Sequence, residues 1–401
     1  MNCDLKPTAQ RQTGIITLLI LMTSLGVFPL DVILPSFPAL AEHFQTSTSR
    51  IAFSLSVFAI GFAISQIAIG PLSDRFGRRK LLIGGLGLAV SSAIGCTFAQ
   101  DFPTFLAFRL VQAIGCGCFV LSNAIIQDVF LGHQRRQLRI LMVSISGIGI
   151  SVSPLIGTLL QIVAGWTASF HVFAALGFIT ICLARVLVTE DSSSLPIDIG
   201  WRDRFRPCMT LQFTGLSLLS AIAFASHFSF IVISPLLFLD MLGFSPMKFA
   251  LSLLCYSLAY IGGGYAASRL SKVTSINFQM LAGLALILGS GTVIILMPET
   301  WQGSFTGILM PVIICTAGAS ILRPAATSEA LDLSVQNAGT ASSLLNTTVF
   351  VFGGVVSAFV SSASDQLLQT LGWTFVVLGV SGALLLNVLT IFSRRTQHLG
   401  Q

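Results

Sequence analysis

Gly70-Pro71-Leu72-Ser73-Asp74-Arg75-Phe76-Gly77-Arg78-Arg79-Lys80 separates two apolar runs, each long enough to cross a bilayer. One acid and four cations in so short a stretch cannot lie in hydrocarbon, so the segment marks a membrane surface. Basic connections between spans stay on the cytoplasmic side. This stretch therefore sets both the class of the protein and an expected orientation for the chain on either side of it.

Composition agrees. Of the 401 residues, 54% are hydrophobic and only 9% are charged, against about a quarter charged in soluble domains. So few charges cannot clothe a globule of this size, and the mean hydropathy is +0.89. The apolar runs are long and continuous, as in helices; barrel strands would alternate over about 10 residues. A net charge of +6 is compatible with nucleic acid as a partner, but the cations cluster in short connections between spans, which argues against one. Eight cysteines form no C-x-x-C pair and mostly fall inside apolar runs, so neither a disulfide framework nor a metal site is expected. Lys6 and Arg11 ahead of an apolar run mimic a signal peptide, yet the run from Ile15 to Leu40 is too long for one and reads as the first span.

Breaks at charge, Pro or Gly delimit twelve spans, at 15–40, 50–71, 81–100, 103–126, 139–164, 168–188, 209–239, 246–268, 275–297, 304–327, 339–362 and 371–392. With both termini cytoplasmic, 17 of the 21 cations fall in inner segments. Only Arg50 and Lys248 fall outside, and Arg109 and Arg323 lie within spans. That asymmetry supports the count. The polar stretch from Glu190 to Pro207 divides the chain six plus six. The expected organisation is an N-terminal six-helix bundle at 1–188, a cytoplasmic linker at 189–208 and a C-terminal bundle at 209–401. Gly264 to Lys272 follows the eighth span as Gly70 to Arg78 follows the second, with Ser268 where Asp74 stands, so the halves read as degenerate copies.

Charges inside spans are costly and by default functional. Asp31, between Pro29 and Pro35 in the first span, lies about 24 Å from the inner end. One reading makes it a carboxylate facing a central cavity, able to take up and release a proton; the other puts it at the outer interface, where the two prolines mark a frayed end. Arg109 enters the fourth span to a similar depth and is placed to pair with Asp31, either as part of the coupling or as a plain structural salt bridge. Gln112 lies one turn on. His227, in the seventh span, reads either as a neutral residue bonded to a neighbouring helix or as a second titratable group or substrate contact, with Phe224, Phe228 and Phe230 as aromatic surface. Gly149, Pro154 and Gly157 in the fifth span permit close helix approach and a bend, at a rocking interface or as ordinary packing. Arg323, Glu329 and Asp332 are expected to pair locally or form a cytoplasmic gate. Asp128 is placed with them. No phosphate loop, nucleophile elbow or H-E-x-x-H occurs, so neither an ATP-driven pump nor an enzyme is supported.

The opening stretch resembles the G-x-L-x-D-R-x-G-R-R-K motif of the major facilitator superfamily. Further stretches are similar to the drug:proton antiporters of the bicyclomycin- and chloramphenicol-resistance (Bcr/CflA) type. They are Leu30-Asp31 through Pro35 to Pro38, Phe108-Arg109 with Gln112, Ser234-Pro235 with Gly243 to Pro246, and Ala338 to Leu344. Two departures stand out. Ala113 follows Gln112 where the family has Gly, and the fifth-span motif reads Ser153-Pro154 and Gly157-Thr158 in place of Gly-Pro and Gly-Gly. The resemblance implies a multi-pass inner-membrane transporter that works as a monomer, needs no cofactor and uses the proton gradient. It implies export of small amphipathic molecules, with siderophore or metabolite transport in either direction as the alternative. It also implies proton coupling through Asp31 with Arg109, and a substrate cavity including Gln112, His227 and Phe228. Gly70, Asp74, Arg75, Gly77, Arg78 and Arg79 would form a conformational latch.

The orientation is directly testable. Cysteine-accessibility tagging at Gly132 is expected to label from the cytoplasmic side and at Gln302 from the outside; the reverse pattern would sink the topology.

Overall fold

A computed structural model describes residues 9–130, 132–188, 210–270, 273–333, 338–363 and 366–399; the expected linker at 189–208 lies outside them. Among the described residues the chain is all helix. The first half comprises α1 (Ala9–Asp31), α2 (Phe37–His43), α3 (Thr48–Phe76), α4 (Arg78–Phe98), α5 (Phe102–Cys116), α6 (Leu121–Val129), α7 (Gly132–Ala164) and α8 (Thr167–Leu187). The second comprises α9 (Leu211–Pro235), α10 (Pro246–Leu270), α11 (Ile276–Leu296), the short α12 (Glu299–Gln302), α13 (Phe305–Asp332), α14 (Ala338–Ser362) and α15 (Leu367–Leu399).

Among the described residues, eleven stretches are long and apolar enough to cross a membrane. The twelfth span is α7, whose described apolar part is Val152–Ala164. Three expected spans are interrupted. The first breaks after Asp31 into a 3₁₀ turn, Leu34–Ser36, and α2; the fourth passes from α5 through a 3₁₀ turn, Gly117–Val120, into α6. The seventh continues α9 into a π-helical segment, Leu236–Met241. Polar caps start several helices: Asp101, Thr210, Ser275 and Ser304 each accept a hydrogen bond from a backbone N–H in the first turn, satisfying a donor the helix leaves open.

The basic stretch around Gly77 is not a loop. α3 runs through Phe76 and α4 begins at Arg78, leaving Gly77 as a one-residue break at φ +88°, a conformation costly for any residue with a Cβ. Arg78 forms an ion pair with Asp128, and Arg79 Nη2 donates to the Arg185 carbonyl at 2.6 Å. The basic cluster thus ties the start of α4 to the ends of α6 and α8. Asp74 and Arg75 are helical in backbone; their side chains, like the surroundings of Gly70, lie outside the described residues.

By proximity the chain groups into two compact units. One holds the described residues through Ile33 and from Ile64 to the end of α8; the other holds Leu34–Ala63 and everything described from Thr210 onward. The sequence divides six plus six, but the first half of α3 lies with the helices of the second half. Ser56 Oγ and Ser357 Oγ are 2.8 Å apart, Thr347 Oγ1 donates to the Ala63 carbonyl at 3.1 Å, and Ser49 Oγ donates to the Ser361 carbonyl.

In the first unit α4 packs on α5 and α8, and α1 on α7 and α8. In the second, α9 is buried on every side and packs on α13, α14 and α15, while α11 packs on α13 and α15. A helix without an apolar stripe, apolar all round, belongs at such a centre.

Gly157 of α7 makes one of the tightest approaches: a Cβ there would lie 2.0 Å from the Val32 carbonyl oxygen at the break of the first span. Gly157→Ala is expected to lower the thermal midpoint of the purified protein, by overpacking worth about 1–3 kcal/mol. Gly84→Ala, with nothing within 4 Å of its Cβ position, should not lower it. Equal melting of the two variants would remove the packing role from Gly157.

Candidate functional site

The first unit centres its polar residues on the break of the first span. Asp31 closes α1 and is 7% exposed. The chain beyond it stays buried: Leu34, Ser36 and Phe37 are all inaccessible. The helix therefore does not fray into water at Asp31; it breaks within packed protein.

A helix that ends in a buried place leaves carbonyls without N–H partners. Arg109, 1% exposed on α5, fills that need. Its Nη2 donates to the Pro29 carbonyl at 3.1 Å and its Nη1 donates to Gln112 Oε1 at 2.9 Å. The guanidinium also lies 6.0 Å from the Phe170 ring centroid. The expected salt bridge with Asp31 is not formed: the structure records no ion pair between them, and among the described residues no hydrogen bond of the Asp31 side chain is recorded. The physical reason is the direction of the chain at Pro29. The Pro29 carbonyl near the end of α1 points at Arg109 and takes Nη2, while Gln112 takes Nη1.

Beside Arg109 is a void of about 10 Å³, roughly one water molecule, lined by Pro29, Gln112, Ser169 and apolar side chains. Ser169 Oγ is buried there without a hydrogen-bond partner among the described residues. In α7, Gly157 presses on Val32, and Thr158 Oγ1 donates back to the Pro154 carbonyl at 2.9 Å. Gly149 is half-buried on the same helix.

The second unit gathers a different set. His227 on α9 is 8% exposed and shares a hydrogen bond between its Nδ1 and the hydroxyl of Tyr256 on α10. Its ring lies 5.0 Å from that of Tyr260. One turn back on α9, Phe224 stacks on Phe228 at 5.1 Å and meets Phe350 of α14 edge-on at 4.9 Å. Phe62 meets Phe350 at 5.3 Å. Over the Phe224 ring, 5.0 Å from its centroid, sits the guanidinium of Arg323 on α13.

Arg323 departs from the sequence expectation. Among the described residues it makes no ion pair with Glu329 or Asp332, and it faces the aromatic cluster. His227 and Phe228 fall in this cluster, whereas Asp31, Arg109 and Gln112 fall in the first unit's. Tyr256, Tyr260 and Phe350 escaped the sequence reading. One signal was available: Tyr256 and Tyr260 are two of only three tyrosines in the chain and stand four apart, on one helix face.

A larger groove of about 930 Å³ runs along α11 and α13, lined by residues such as Leu288, Val293, Trp301 and Met310. It is open and almost wholly apolar, as expected of a surface meeting acyl chains. Among the described residues no cluster of His, Cys, Asp and Glu could hold a metal ion.

The sequence pattern of the Major Facilitator Superfamily matches residues 16–358. Over 98% of both chains the sequence is 27% identical to an uncharacterized MFS-type transporter, YdgK, of Bacillus subtilis (strain 168). It is also 27% identical to the chloramphenicol resistance protein of Pseudomonas aeruginosa, over 95% of this chain and 90% of that one. It is 24% identical to a bicyclomycin resistance protein homolog of Haemophilus influenzae, over 92% and 95%. Among solved structures, a bacterial homolog of the human lysosomal transporter Spinster, in an inward-facing and occupied conformation, superposes with a TM-score of 0.75. That likeness covers 96% of this chain and 98% of that one at 17% identity, and shows the shared fold.

Because Arg109 satisfies two acceptors at once, a single ammonium is a poor replacement. Arg109→Lys is expected to melt lower than the wild type, by about 1–3 kcal/mol for the buried acceptor left open. Wild-type stability in Arg109→Lys would show that the two hydrogen bonds do not hold the break of the first span.

Proposed function

The chain belongs to the major facilitator superfamily, and on that premise we propose that it is a proton-coupled secondary transporter exporting small amphipathic organic molecules across the cell's inner membrane. The direction and substrate type are supported by relatives whose names record resistance to chloramphenicol and bicyclomycin. The observation that carries the coupling is Asp31: a carboxyl buried at the broken end of α1, with no ion pair among the described residues. A bare carboxylate in such a place is expensive, and a proton removes the cost. Loading and unloading that proton on opposite sides of the membrane ties the gradient to the conformational cycle.

Residues 1–188 and 209–401 act in this reading as two bundles that rock about the substrate, joined by the linker at 189–208. The hydrogen bonds between α3 and α14 at Ser49, Ser56 and Thr347 are then contacts that must open and re-form. Gly149, Pro154 and Gly157 supply the helix surface that moves. Gly70, Asp74, Arg75, Gly77, Arg78 and Arg79 are the latch, with Gly77 as its pivot between α3 and α4.

Asp31→Asn mimics the protonated acid. In proteoliposomes with an imposed pH difference it is expected to bind chloramphenicol or bicyclomycin as the wild type does, yet fail to concentrate it. Uphill transport at the wild-type rate by Asp31→Asn would show that another group couples the proton. In the same assay Asp74→Asn should slow transport with affinity unchanged within a few-fold; a large loss of affinity at normal turnover would remove it from the latch.

A further inference from the structure

We propose that the cluster around Arg323 is an anion-recognition subsite, so that the molecules this protein carries include amphipathic organic anions with a flat apolar body. The inference rests on the proposed transport function and narrows its substrate class.

Arg323 lies within α13, which sequence and structure both place as a membrane span. A permanent cation there needs a compensating partner. Arg109 shows one solution: near-complete burial among neutral acceptors, each hydrogen bond aimed. Arg323 has none of this. It is half-buried, and among the described residues it makes no ion pair and no hydrogen bond is recorded for it. Its guanidinium rests on the face of Phe224. Resting on a ring face leaves the guanidinium N–H edge open to a ligand.

The position of Arg323 is fixed, not adventitious. Ser220 Oγ and Thr327 Oγ1 lie 2.9 Å apart, pinning α9 against α13. One turn along both antiparallel helices, the same register brings Phe224 to Arg323. Phe224 is in turn held by Phe228 and Phe350, and a Cβ on Gly353 would strike its ring at 2.5 Å. The result is a rigid aromatic wall with a fixed cation at its edge. His227 sits one turn from Phe224, its imidazole engaged by Tyr256, with the half-buried Tyr260 beside it.

Chemistry then selects the ligand. A guanidinium with its N–H edge open binds carboxylate or sulfonate in two-pronged fashion. The part-exposed rings of Phe350 and Tyr260, with Phe224 and Phe228 packed behind them, offer aromatic surface to a planar apolar body. A cationic molecule would meet Arg323 with like charge, and a neutral one would leave its donors unmet.

The test uses full-length protein in phosphatidylcholine nanodiscs and equilibrium binding of three radiolabelled probes that share one body: 2-naphthoate, 2-naphthamide and 2-naphthylmethylammonium. No gradient is applied, so the outcome is independent of whether transport is proton-coupled or outward. The wild type is expected to bind the carboxylate at least about tenfold more tightly than the amide, the worth of one charge-assisted contact. The ammonium should bind weakest. Arg323→Gln should erase the preference for the carboxylate while leaving amide binding within about twofold. Arg323→Lys should keep part of the preference, and it decides the matter if the Gln variant does not fold. Equal affinity for carboxylate and amide in the wild type would overturn the proposal, as would a preference that survives Arg323→Gln. Replacing a third of the lipid with phosphatidylglycerol should leave naphthoate binding unchanged; displacement by that lipid would assign the cation to a headgroup and overturn the proposal too.

Discussion

The first span has to end a helix inside the protein, and the way its last carbonyls are satisfied sets the arrangement of the N-terminal unit. The chain turns away after Asp31 into a 3₁₀ turn, so the Pro29 carbonyl lacks its usual helical donor in a buried place. Arg109 reaches across from α5 and donates to it. Gln112, one turn further along α5, holds the same guanidinium from the other side. The same break brings the Val32 carbonyl against α7, where only a glycine fits, at Gly157. Three helices are therefore fixed by one irregularity. An interrupted backbone at membrane depth is tolerated where protein supplies the missing partners, and here the partners are a cation, an amide and a bare Cα.

Much of this was legible in the sequence, and the reasons differ by residue. Spans were readable because hydrocarbon thickness demands long apolar runs, and their approximate ends because charge, Pro and Gly interrupt the pattern. The i, i+3 spacing put Gln112 on the same helix face as Arg109, one turn on, where the structure joins the two by a hydrogen bond. The partner of Arg109 on α1 was not legible. Charge arithmetic favoured Asp31, whereas the direction of the broken helix favoured a carbonyl two residues earlier, and no spacing rule reports the direction in which a chain turns after a proline. The basic segment at Gly77 misled in a similar way. Its charges marked the surface correctly, but charge density says nothing of backbone shape, and a one-residue hinge between two helices reads like a loop. The erosion of the fifth-span motif has a physical account as well: the position pressed against Val32 keeps its glycine, while the next, Thr158, turns its hydroxyl back to Pro154 and needs no small residue.

The two arginines within spans answer one problem in two ways. Arg109 is sealed, with Nη1 and Nη2 each donating to a neutral acceptor of its own unit. Arg323 rests on Phe224 and stays half-open, which makes it a piece of surface. Sequence reasoning placed Arg109 with Asp31, in coupling or a structural salt bridge, and Arg323 with Glu329 and Asp332, in local pairing or a cytoplasmic gate. The wall behind Arg323 is assembled from α3, α9 and α14, segments far apart in the chain, so its aromatic residues could not be told from the many other phenylalanines by position alone.

The separation of Asp31 from Arg109 changes what each can do. Had they paired, protonating Asp31 would have left a buried guanidinium uncompensated, and proton binding would have cost the fold several kcal/mol. In the observed arrangement Arg109 keeps its two hydrogen bonds whatever the state of Asp31. The carboxyl can then gain or lose a proton without disturbing the hydrogen bonds that hold the break of the first span. The N-terminal unit thus joins a rigid helix break to an acid that no recorded cation holds in place. Under the proposed coupling, a group that changes charge once per cycle is better placed beside a rigid structure than inside its hydrogen-bond network, and Asp31 ends the very helix whose preceding carbonyl Arg109 secures.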